Sequence, residues 1–185
     1  MNRKSEKTKI LIKDTFVELL KTEPVGEIKV TQICELAGIH RTTFYLHYDN
    51  VDEIMNDIFD RIVNEMLCIL SDFHYRDFFS NPQKYLARVN EYFQKDFDFY
   101  KTLMMTEESD IQLARLRHIF AKKIIEDSDI PESVRLSKRG RIRTEYFAGG
   151  IISLYKEYFS GTLDATADDI ASEVAELIHD QGNRI

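Results

Sequence analysis

The sequence predicts an all-α fold, and three observations lead to it. Apolar residues recur three and four apart rather than alternating. Only three Pro and seven Gly interrupt 185 residues. The segment from Ile28 to Asn50 divides at Gly38 into two short helical patterns. The expected architecture is an N-terminal three-helix unit containing a helix-turn-helix, followed by a larger helical domain. With 43% hydrophobic residues, a chain of this length buries roughly 70% of the surface its unfolded form exposes, enough for a sizeable core.

The first helix is expected over residues 5 to 22, with Ile12, Phe16, Leu19 and Leu20 on one face. Pro24 and Gly26 end it. Val30, Ile33, Leu36 and Ala37 supply the packing face of the second helix, and Gly38 gives the backbone freedom a tight inter-helix turn requires. The third helix is composed differently. Arg41, Thr42, Thr43, Tyr45 and His47 crowd together, each able to donate a hydrogen bond to a phosphate or a base edge. Phe44 and Tyr48, four apart, anchor the opposite side. A helix built only for packing would show one apolar stripe and a solvated face, so this pair of helices reads as a helix-turn-helix whose second member meets nucleic acid.

A long helix over about 51 to 70 follows, with Ile54, Ile58, Ile62 and Met66 in steps of four. The stretch from Ser71, with Phe73 in it, is expected to be irregular and to close at Asn81-Pro82, since Pro is comfortable just inside a helix start. Further helices are expected at about 83–95, 97–105, 108–126, 132–160 and 166–181, with breaks at Asp96, Glu107, Ile130-Pro131 and Ser160-Gly161. Residues 1–50 are assigned to the helix-turn-helix domain and 51–185 to a helical regulatory and dimerisation domain.

The run Ile33 to Ile39, then Thr43-Phe44-Tyr45-Leu46-His47-Tyr48, then Asp52-Glu53-Ile54, resembles the DNA-binding domain of the TetR/AcrR family of bacterial transcriptional regulators. The order Arg-x-Thr-Phe-Tyr-x-His-Tyr at Arg41 to Tyr48 is similar to a subgroup with a divergent C-terminal domain. The resemblance covers about residues 8 to 65. It implies that Arg41 and Thr42 reach base edges in the major groove, where Arg is the commonest reader of guanine, and that Thr43, Tyr45 and His47 hold phosphates and fix register. Leu46 is placed to touch a thymine methyl, and Thr31 to contact DNA from the second helix. The chain departs from the family pattern at Lys29 and His40, which stand where Ser or Thr normally caps a helix. It departs again at Val51, where a phosphate-gripping Lys is usual; Lys29 or Asn50 is expected to offset that loss.

The net charge of −7 conceals a division. Residues 1 to 50 hold eight Lys/Arg against seven Asp/Glu, and residues 51 to 185 hold seventeen against twenty-five. Only the N-terminal part can face DNA favourably, with Arg3, Lys4, Lys7, Lys9 and Lys13 gathered before and within the first helix. Cys34 and Cys68 are too few and too isolated for a disulfide framework or a zinc site, and both are expected as buried thiols. No apolar run reaches the length of a membrane span, and the charged N-terminus lacks a signal-peptide core, so a cytoplasmic protein without membrane contact is expected.

In the last two helices, apolar residues cover most of the circumference. Tyr146, Gly149, Gly150, Ile151, Leu154 and Tyr158, with Val174, Leu177 and Ile178, are therefore expected at a homodimer interface. The resemblance implies a four-helix interface that presents two recognition helices to a palindromic operator. Phe73, Tyr92, Phe93, Phe97, Tyr100, Met104 and Phe120 are candidate walls of a pocket for a small apolar or aromatic effector, although most buried aromatics serve only as core. The five His show no metal-binding spacing, and no phosphate loop or nucleophile elbow occurs. Neither enzyme activity nor a cofactor or metal is expected. The expected function is a dimeric DNA-binding repressor released by a small effector, with control by a protein co-regulator as the alternative.

Overall fold

Among the described residues of the computed structural model, 3–72, 74–126 and 130–182, every regular element is a helix. The chain divides into two compact units, the first running to Glu65 and the second starting at Met66. The division thus falls inside a helix, fifteen residues beyond position 50.

The first unit contains α1 (Arg3–Leu20), a 3-10 turn (Val25–Glu27), α2 (Val30–Ala37), α3 (Arg41–Tyr45) and most of α4 (Val51–Ile69). The expected face of α1 is buried at Ile12, Phe16 and Leu19, joined by Val17. In α2 the buried pair is Ile33 and Cys34, and Leu36, expected in the packing face, is exposed instead. The helix is only two turns long, so the turn at Gly38 leaves its last turn uncovered. α4 buries Ile54, Ile58, Ile62 and Met66 in the predicted steps of four. Cys68 lies on the same helical face as the exposed Arg61 and Asn64, which is why it is an exposed thiol rather than the buried one expected; Cys34 is buried.

The second unit contains α5 (Tyr75–Ser80), α6 (Pro82–Gln94), α7 (Phe97–Met104), α8 (Ser109–Glu126), α9 (Glu132–Arg135), α10 (Lys138–Ser160) and α11 (Ala167–Gly182). Two details differ from the sequence reading. The stretch before Pro82, expected to be irregular, forms α5. Asp77 accepts hydrogen bonds from the Tyr85 hydroxyl and the Lys84 ammonium, both at 2.8 Å, which ties α5 to α6. The helix expected over 132–160 is broken at Leu136-Ser137. The Ser137 hydroxyl accepts from the Gly140 amide at 2.9 Å and donates to the Val134 carbonyl at 2.6 Å, so one side chain ends α9 and starts α10.

Gly140 matters at that break, because a Cβ there would overlap the Val134 carbonyl oxygen. Gly140→Ala is expected to destabilise the chain by about 1–3 kcal/mol, the usual cost of overpacking against backbone. An unchanged melting temperature in calorimetry would show that α9 yields freely.

The core of the second unit is aromatic with one polar knot. Asn90 is buried; its amide nitrogen donates to the Ala167 carbonyl at 2.7 Å, and its oxygen accepts from the Tyr155 hydroxyl. A single side chain thereby holds α6, α10 and α11 in register. Burial pushes the Tyr155 phenol well above its ordinary range, which keeps it a hydrogen-bond donor at any ordinary pH.

Candidate nucleic-acid interface

The helix-turn-helix is fixed by its backbone before any side chain reaches outward. Gly38 adopts φ 63°, ψ 35°, a left-handed conformation that L residues rarely tolerate. Its amide and that of Ile39 close on the carbonyls of Cys34 and Glu35, which ends α2 and turns the chain toward α3. His40 makes no side-chain cap bond, yet its carbonyl accepts from Thr43 and Phe44 at 2.9 and 3.1 Å, so α3 starts on backbone alone. At α2, Gln32 provides the cap that Lys29 cannot. The Gln32 oxygen accepts from the Lys29 amide at 2.7 Å, and its nitrogen donates to the Glu23 carboxylate at 2.9 and 3.1 Å. That bridge pins the start of α2 to the loop after α1.

α3 is divided between a buried anchor and an exposed, largely polar surface. Phe44 is fully buried and stacks edge-on against Tyr45 at 5.5 Å, while Tyr48 packs at 6.1 Å. Arg41, Thr42, Tyr45 and Leu46 are exposed, Leu46 by 81%. Thr43 and His47 are half-buried beside them, as is Thr31 of α2, and Lys29 is exposed. Asn50 serves the start of α4. Its oxygen accepts from the Glu53 amide at 3.0 Å, and Glu53 accepts from the Asp49 amide at 2.7 Å, together capping that helix.

A charged brace holds this surface from behind. The Tyr48 hydroxyl donates to Asp57 of α4 at 2.7 Å, and Lys13 and Lys9 of α1 reach the same carboxylate at 3.3 and 3.5 Å. Lys9 also lies 5.1 Å from the Tyr48 ring centre. Two of the lysines expected near phosphates are therefore engaged in organising the unit. Burial opposes the charge on Asp57, but the Tyr48 hydroxyl, Lys13 and Lys9 outweigh it and hold the carboxyl below its ordinary range. Burial first, and then Asp57, push the Tyr48 phenol far above its own. No spacing in the sequence announces this brace, because its members come from three separate elements.

The brace gives the unit an acid-sensitive contribution to stability. A carboxyl whose folded value is lowered contributes stability above its unfolded value, about 4, and loses it as pH falls through the folded value. Unfolding followed from pH 6 to pH 2 should show a steeper acid loss in the wild type than in Asp57→Asn, which lacks the titrating group. Parallel curves would remove Asp57 from the acid sensitivity.

The remaining expected residues sort by exposure. Phe73 lies outside the described residues. Tyr92, Phe93 and Tyr100 meet edge-on or tilted at 4.9–5.3 Å, and Phe93 and Phe97 pack on Phe159 at 5.1 and 5.4 Å. Met104 is buried and Phe120 half-buried. At the expected dimer face, Tyr146, Gly150 and Leu177 are exposed, and Gly149, Ile151, Leu154 and Tyr158 are half-buried. Gly149 faces the Arg117 side chain of α8. Val174 and Ile178 require correction: they are 3% and 0% exposed in the single chain, because α11 turns that stripe inward onto α6. They are subunit core and cannot meet a partner.

No family model matches the chain. A curated relative, the HTH-type dhaKLM operon transcriptional activator DhaS of Lactococcus lactis subsp. lactis (strain IL1403), is 28% identical over 107 residues, 58% of this chain and 54% of the relative. The match thus spans about half the relative's length. A TetR transcriptional regulator from Streptococcus agalactiae 2603V superposes with a TM-score of 0.67 at 19% identity, over 95% of this chain and 96% of its own. The structure of a dihydroxyacetone kinase operon activator, DhaS, gives 0.58 at 19% identity over 94% and 95%. The chain has the fold of TetR-type transcriptional regulators, an N-terminal helix-turn-helix unit followed by a helical C-terminal unit.

Proposed function

We propose that the chain is a homodimeric, sequence-specific DNA-binding transcriptional regulator working in the cytoplasm, with α3 docked in the major groove of double-stranded DNA. One observation carries this reading. A five-residue helix buries Phe44 completely and turns Arg41, Thr42, Tyr45 and Leu46 to solvent, an arrangement of little use to packing and well suited to base edges and phosphates. In this reading residues 1–50 supply the DNA contacts, Lys29, Thr31, Thr43, His47 and Asn50 included, and residues 51–185 supply dimerisation and control. A two-fold dimer requires a palindromic operator with half-sites about 10 bp apart, or slightly more, between centres. Selection of bound duplexes from a random pool should enrich such an inverted repeat; enrichment of a single unrepeated site would sink the dimeric reader.

Two readings of the control step are supported by different observations. The first is a repressor released by a small apolar or aromatic effector, held among the C-terminal aromatics from Phe73 to Phe120; such an effector releases DNA only insofar as it binds the DNA-incompetent arrangement better. The second is an activator, or a regulator governed by a protein co-regulator. It is supported by the description of DhaS as an operon activator, by the rings at 92, 93 and 100 already packing on one another, and by that of Phe97 packing on Phe159. A thermal-shift screen separates them. A compound that raises the melting temperature and frees DNA supports the first reading, while indifference to the library together with stimulated transcription supports the second.

A further inference from the structure

Three side chains behind α3 meet on one atom. Oδ2 of Asp57, in α4, accepts from the Tyr48 hydroxyl at 2.7 Å and lies 3.3 and 3.5 Å from the ammonium groups of Lys13 and Lys9 in α1. α3 itself has little else to orient it. It is five residues long, and no side chain caps its start. Phe44 holds it by burial, but apolar burial is non-directional and does not by itself fix the rotation of the helix.

The direction comes from the other end of the segment. The His47 and Tyr48 amides both close on the Phe44 carbonyl, at 2.8 and 3.1 Å, so the backbone from Phe44 to Tyr48 is a single tied turn. Tyr48, 4% exposed, aims its hydroxyl inward at Asp57, and a short hydrogen bond is directional. Tyr45 and His47, on the outer side of the same turn, take their places from that tether.

The two lysines differ. The Lys13 side chain is 12% exposed and cannot reach outward, whereas that of Lys9 is 34% exposed and its ammonium stands 5.1 Å from the centre of the Tyr48 ring. A cation released beside the reading surface would strengthen binding to every sequence alike, because phosphates carry no sequence information.

We propose that Asp57 is a positioning residue that sets DNA specificity: through Tyr48 it fixes the rotation of α3 against the base edges, and by holding Lys9 it withholds a cation from sequence-independent binding. This rests on the reading of α3 as a DNA reader above. It adds a residue that touches no DNA and yet governs the ratio of specific to non-specific affinity.

Four full-length proteins test it: wild type, Tyr48→Phe, Asp57→Asn, and Asp57→Asn with Lys9→Gln. Each is titrated with the selected operator and with a scrambled duplex at two salt concentrations. Circular dichroism checks that each keeps wild-type helix content; if Asp57→Asn does not, Lys13→Met is added to both Asp57 variants to remove the stranded ammonium. Tyr48→Phe is expected to weaken operator binding about threefold to tenfold, the worth of one hydrogen bond, and to leave the scrambled duplex within about twofold of wild type. In Asp57→Asn the amide oxygen still accepts from Tyr48, which isolates the charge. That variant is expected to bind the scrambled duplex more tightly, with a salt slope steeper by about one, and Lys9→Gln to return the slope to the wild-type value. A merely structural role would weaken both duplexes together. An unchanged ratio of the two affinities in Tyr48→Phe, or an unchanged slope in Asp57→Asn, overturns the assignment while leaving DNA reading intact. A wild type that binds operator and scrambled duplex alike overturns DNA reading as well.

Discussion

Phe44→Ala is expected to unfold the N-terminal unit and abolish DNA binding. The ring is fully buried and contacts both Tyr45 and Tyr48. Its removal costs the transfer energy of the ring plus that of the cavity, about 3–5 kcal/mol. A unit of this size buries a smaller share of its surface than a large domain and has little stability in reserve. Thr42→Ala, in the same helix but exposed, should change stability by no more than about 0.5 kcal/mol. Urea denaturation of both variants decides the matter: equal midpoints would mean that Phe44 does not hold α3.

The second large effect is expected at Asn90. Asn90→Leu leaves the Tyr155 hydroxyl buried without its acceptor, at about 1–3 kcal/mol, and removes the side-chain bond to the Ala167 carbonyl. The double variant is diagnostic. Tyr155→Phe removes the hydroxyl that Asn90→Leu strands, so the two costs should overlap and the pair should be less destabilised than their sum by about 1 kcal/mol or more. Strict additivity in urea denaturation would show that the two side chains act independently.

Helical periodicity made most of this fold legible. Steps of four at Ile54, Ile58, Ile62 and Met66 located α4, and Gly38 located the turn, because a left-handed backbone suits that junction. The buried and exposed faces of α3 were likewise visible, since Phe44 and Tyr48 stand out among hydrogen-bonding residues. Legibility failed where a long-range partner decides. Asp57 collects Tyr48, Lys9 and Lys13 from elsewhere in the chain, so lysines that looked free for phosphate are partly engaged. Val174 and Ile178 share a helix with the outward Leu177, and only packing on α6 shows which stripe turns inward. The α9–α10 break depends on the close approach at Gly140, which no periodicity encodes.

A distant partner also decides α5, whose formation rests on the bond from Tyr85 to Asp77 rather than on the propensity of its own six residues.

Whether α3 reads DNA through Arg41 is decided by titrating the selected operator and its point variants at two salt concentrations. Wild type, Arg41→Ala and Lys29→Ala are compared. Arg41→Ala should lose about 1–3 kcal/mol and discriminate less at one base pair per half-site, whereas Lys29→Ala should weaken all sequences alike and lower the salt slope by about one. An Arg41→Ala protein that binds with undiminished affinity and unchanged base preference would refute DNA reading by Arg41, the one Arg or Lys that α3 contains.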